Sequence, residues 1–64
     1  MDFSQYATAS GITPSSPWLD IIETAIEYLN IGAPCPDGEE DRWHKWADRK
    51  ANELATKYAA TREG

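Results

Sequence analysis

Trp18, Ile22, Ala25, Ile26 and Leu29 recur at spacings of three and four, which places them on one face of a helix. Leu19 widens that stripe on one side, and Ile21 and Tyr28 on the other, so the apolar arc spans about half of the helix. Ser16 stands where a capping residue belongs and Pro17 at the favoured first helical position, while Asn30 to Gly32 closes the run. An arc this wide requires two neighbours. One is the segment that follows; the other is either an N-terminal helix or a second chain.

The flanking segments carry weaker and stronger versions of the same pattern. At the N-terminus, Phe3, Tyr6 and Ala7 make a small apolar face, with Asp2 and Gln5 spaced as a capping box and Gly11 as a left-handed stop. After the Pro-rich turn of residues 32–36, Asp37 and Glu40 have the spacing of an acidic capping box. Ala47, Ala51, Ala55 and Ala59 then repeat every four residues, with Trp43, Leu54 and Tyr58 beside them, and such a thin ridge permits close helix approach. Trp46 lies off that stripe, among Arg42, Arg49, Lys50 and Lys57. The pattern predicts helices over about 2–10, 16–31 and 38–61. The expected fold is all-α, with a short N-terminal helix packed on an antiparallel two-helix hairpin in a single small three-helix domain.

Length and composition narrow the class. A chain of 64 residues buries only about 60% of the surface that its unfolded form exposes, and no staple supplements that core. Cys35 is the single cysteine, so no intramolecular disulfide forms, and an unpaired thiol suits a reducing, cytoplasmic setting. Met1 is followed by Asp2 and polar residues instead of a basic and then apolar leader. The apolar-rich segment from Trp18 to Ile31 is interrupted by Asp20, Glu23 and Glu27 and falls short of the roughly 20 residues of a spanning helix. Neither a signal peptide nor a membrane partner is expected.

Charge is segregated along the chain. Residues 1–41 hold Asp2, Asp20, Glu23, Glu27, Asp37, Glu39, Glu40 and Asp41 without a Lys or Arg, a charge of −8. Residues 42–64 hold Arg42, Lys45, Arg49, Lys50, Lys57 and Arg62 against Asp48, Glu53 and Glu63, a charge of +3, which together give the net −5. Asp20, Glu23 and Glu27 are spaced to line one edge of the middle helix, with no cation in the same segment.

Each suggestive cluster has a plain structural account. Asp37, Glu39 and Asp41 imitate the start of a calcium loop, but the sixth and twelfth positions are Arg42 and Asp48, where Gly and Glu are needed. Capping and the helix dipole account for the acids there. Cys35 and His44 are too few for a structural zinc site and lack the third group and oxyanion donors of a nucleophilic centre. No metal, cofactor or catalytic residue is therefore expected. The stretch from Arg42 to Lys50 interleaves cations with Trp43 and Trp46, as a nucleic-acid surface does, yet the whole chain has a pI near 4.5 and repels phosphate. An amphipathic helix whose cations pair with Asp41, Asp48, Glu53 or the middle helix explains it without nucleic acid.

The expectation that follows is a small acidic, non-enzymatic protein-binding module. Its acidic face is Asp20, Glu23, Glu27, Asp37, Glu39, Glu40 and Asp41, presented to a partner protein with a basic surface. Size and charge are analogous to phage inhibitors of nucleic-acid-handling machines, such as anti-CRISPR and anti-restriction proteins. The alternative is a structural or assembly subunit, or a homodimer, joined through an apolar interface of Ile21, Tyr28 and Trp46.

Overall fold

A computed structural model describes residues 2–61, and Arg62 and Glu63 of the basic part lie outside the described residues. Its elements in chain order are helix α1 (Phe3–Ala9), helix α2 (Trp18–Gly32) and helix α3 (Glu40–Ala60), with no strand among the described residues. The fold is all-α, and α2 packs against both α1 and α3. The 21 residues of α3, about 31 Å of helix, set the long axis of a molecule measuring 41 × 18 × 15 Å.

Local chemistry fixes each helix end. Asp2 caps α1 as expected: its carboxylate accepts from the Gln5 backbone N–H at 2.9 Å, and the Gln5 side chain accepts from the Asp2 N–H at 3.1 Å. Gly11, at φ +90°, ends α1 in the left-handed region that favours glycine. The cap expected at Ser16 is not made. Ser16 Oγ instead accepts from the Thr13 backbone N–H at 2.9 Å and closes the preceding turn, leaving Pro17 as the N-cap without a side-chain bond. The Asp37–Glu40 box is also absent. Gly38, at φ +84°, breaks the helical run there, so α3 starts at Glu40 with Glu39 as an N-cap that makes no side-chain bond.

The core gathers Phe3 and Ala7 of α1, Ile21 and Ala25 of α2, and Ala51, Ala55 and Tyr58 of α3. The alanine ridge of α3 is buried as its spacing predicts, apart from Ala59, which is half-buried. On α2 the buried centre is rotated from the predicted stripe. Ile21, placed at the margin by spacing, is 1% exposed, while Trp18 and Leu19 are 46% and 70% exposed. Thr24 explains part of the rotation, since it is buried with its hydroxyl donating to the Asp20 carbonyl at 2.9 Å. Satisfied in this way, it behaves as a small residue and lets the backbones approach.

Both linkers are tied to α3 by aromatic hydrogen bonds. Trp43 Nε1 donates to the Ala33 carbonyl at 2.7 Å, which sets the start of α3 beside the end of α2 and makes the pair antiparallel. Tyr58 Oη donates to the Ile12 carbonyl at 3.1 Å, fastening the first linker near the opposite end of α3.

Candidate functional site

The three carboxylates of α2 form one row on its outer side. Asp20, Glu23 and Glu27 are spaced at three and four residues, rise about 10 Å along the helix, and point away from buried Ala25. All three are exposed. Because α2 ends where α3 begins, this row leads towards the second cluster, Asp37, Glu39, Glu40 and Asp41, which is also exposed. Glu40 and Asp41 occupy the first turn of α3, where the positive end of the helix dipole favours carboxylates.

The cations of α3 do not neutralise the α2 row. Among the described residues the ion pairs are Arg42–Glu39 and Lys50–Glu53, each 3.6 Å and each between consecutive turns at the surface. Lys50–Glu53 matches one pairing expected from sequence; among the described residues no cation forms an ion pair with Asp20, Glu23 or Glu27. Exposed pairs of this kind contribute little, about 0.2–1 kcal/mol, so their value here is in local charge balance. The result is an α3 surface of mixed sign and an α2 edge of one sign.

The other residues singled out from sequence are placed as follows. Ile21 is buried and offers no surface to a partner. Tyr28 packs against α1, with ring centroids 5.6 Å from Phe3 and 5.5 Å from Tyr6. Trp46 is half-buried and leans on Trp43 at 6.2 Å, bordering a groove of ≈ 280 Å³ with Pro36, Glu39 and Arg42. The structure therefore does not bring Ile21, Tyr28 and Trp46 together into one exposed patch. Among the described residues the exposed large apolar side chains are Trp18, Leu19 and Ile31; helical spacing placed Trp18 and Leu19 on the arc without saying which part stays open, and did not include Ile31.

Cys35 and His44 make separate contacts. The Cys35 thiol donates to the Pro36 carbonyl at 3.5 Å, and desolvation, then the carboxylates of Glu40, Asp37 and Glu39, push its pKa above the ordinary thiol value. That direction disfavours the thiolate a nucleophile needs. His44 is exposed and stands edge-on to Trp43 at 5.3 Å. Among the described residues no three His, Cys, Asp or Glu side chains converge on a metal position. No helix of the described residues is long and apolar enough to cross a membrane.

No protein-family model, curated protein or solved structure matches this chain.

Proposed function

We propose that this chain is a small acidic, non-enzymatic binding module that covers a basic surface on a partner protein, one that otherwise holds nucleic acid. The observation that carries this reading is the row Asp20, Glu23 and Glu27, exposed and without a cation among the described residues. Uncompensated carboxylates in a row project a field that accelerates encounter with a positive groove and rejects acidic competitors. The cluster at the start of α3 extends the same sign along the molecule. An inhibitor of the anti-CRISPR or anti-restriction type acts in this way, and the analogy rests on size and charge.

The test is competition. Partner protein retained by the immobilised chain from a lysate of its own organism is challenged with duplex DNA and with RNA at low salt. Release by nucleic acid, without binding of either oligonucleotide to the chain itself, supports the reading. Retention of the partner under saturating nucleic acid contradicts it.

A second reading, an assembly subunit that docks through apolar surface, draws on the exposure of Leu19 and Ile31. Salt separates the two, since attachment through apolar contacts is nearly indifferent to ionic strength and attachment through carboxylates is not.

A further inference from the structure

We propose that the partner engages this chain with a cationic amphipathic helix, laid along the open flank of α2 formed by Trp18, Leu19, Ile22 and Ile26. The proposal rests on the reading that the acids of α2 bind, and it adds the apolar half of the contact and the shape of the occupant.

The flank is defined by what covers the rest of α2. Tyr28 faces α1, and Ile21 and Ala25 join Ala51 and Ala55 of α3 in the core. At 3.6 residues per turn, Leu19 and Ile26 fall opposite Tyr28, while Trp18 and Ile22 lie between them and the core-facing Ala25. α1 lies on the Tyr28 side of α2, and Ile22 and Ile26 pack with part of their surface against the core. Trp18 and Leu19 are exposed, and Ile22 and Ile26 are half-buried. Apolar surface is thus left open at Trp18 and Leu19 and continues as a strip along the partly exposed edges of Ile22 and Ile26.

Charge chooses the occupant. Glu23 lies four residues after Leu19 and three before Ile26, so the carboxylate row directly borders the strip, with Asp20 and Glu27 behind it. A second copy laid symmetrically on the same flank would set these carboxylates against their own counterparts, which disfavours self-pairing. A helix with an apolar face edged by Lys or Arg meets both features at once. An extended strand finds no ladder to join, since the backbone groups within α2 are already bonded along the helix. Side-chain rows at spacings of three and four are what a second helix interlocks with.

The test uses two synthetic 18-residue amphipathic peptides, one of Leu and Lys and one of Leu and Glu, with fluorescence anisotropy near physiological salt. The Leu/Lys peptide is expected to bind saturably at micromolar concentration, and the Leu/Glu peptide at least about tenfold more weakly. Trp18→Ser with Leu19→Ser, both exposed positions, is expected to weaken Leu/Lys binding at least about tenfold with the circular dichroism spectrum unchanged. If Asp20→Lys, Glu23→Lys and Glu27→Lys together abolish binding while the serine variant binds like the parent, the acidic face stands and the apolar strip is overturned. If neither peptide binds, the proposal is overturned. If the chain sediments as a dimer that the serine variant dissociates, the occupant is a second copy and the proposal is again overturned.

Discussion

The ring of Phe3 stands edge-on to that of Tyr28, with centroids 5.6 Å apart, and this contact decides which flank of α2 is closed. Phe3 also meets Tyr58 at 5.4 Å, so one α1 side chain bridges the two long helices. The Tyr28 side of the apolar arc is therefore filled from within the chain, and the surface left for a partner is the opposite flank with its adjoining carboxylates.

Loss of that bridge should be costly. Phe3→Ala is expected to destabilise the fold by about 3 kcal/mol, the lower end of the range for a buried aromatic. In a domain of this size that corresponds to a fall in Tm of more than about 10 °C, read by circular dichroism. Removal of residues 1–11 should go further and raise the binding of an apolar-surface dye. An unchanged Tm in both variants would show that α1 is not part of the folded core.

The bond from Tyr58 to Ile12 offers a narrower probe. Tyr58→Phe removes one hydroxyl and keeps the ring packing, so urea unfolding should report a loss of about 1 kcal/mol. A variant as stable as the parent would mean that the first linker is held by other contacts.

The alanine ridge makes the opposite kind of prediction. Ala51 is 0% exposed at the α2–α3 contact, and Ala51→Leu should cost about 1–3 kcal/mol by forcing the helices apart. Thr56→Leu, at an exposed position of the same helix, should change stability by less than about 0.5 kcal/mol.

Cys35 should be a slow thiol. Its pKa is raised by desolvation and by Glu40, Asp37 and Glu39, so the thiol stays protonated further as pH rises, and alkylation at pH 8 should lag behind that of free cysteine. Added salt and Glu40→Gln should each speed the reaction by weakening the carboxylate contribution. A rate above that of free cysteine would reverse the sign of the shift.

Helix number, order and type were legible because they rest on local rules that this chain obeys. Asp2 and Gln5 form their box, Gly11 takes the left-handed conformation, and the ridge from Ala47 to Ala55 is buried. The two other caps were not legible, because Ser16 has a nearer donor in Thr13 and Gly38 interrupts the run from Asp37. Periodicity on α2 gave the width of the arc without its facing, since Trp18 and Ile21 are equally apolar. What decides between them is which side admits close approach, and buried Thr24 and Ala25 put that side next to Ile21. The carboxylates Asp20, Glu23 and Glu27 were placed correctly on one exposed edge, because a helical row follows from spacing alone. That Arg42 and Lys50 pair with Glu39 and Glu53 three residues away, and that no described cation pairs with α2, depends on tertiary placement that no local rule supplies.

The most direct test of the acidic-face account is the affinity of the chain for its captured partner, measured across sodium chloride concentrations for the parent and for Asp20→Lys, Glu23→Lys, Glu27→Lys combined. The account predicts that parent binding weakens at least about tenfold between about 50 mM and 500 mM salt, as screening shortens the reach of the carboxylates. It also predicts that the triple variant, with helical content preserved, has lost binding already at low salt. A triple variant that binds as tightly as the parent contradicts the account.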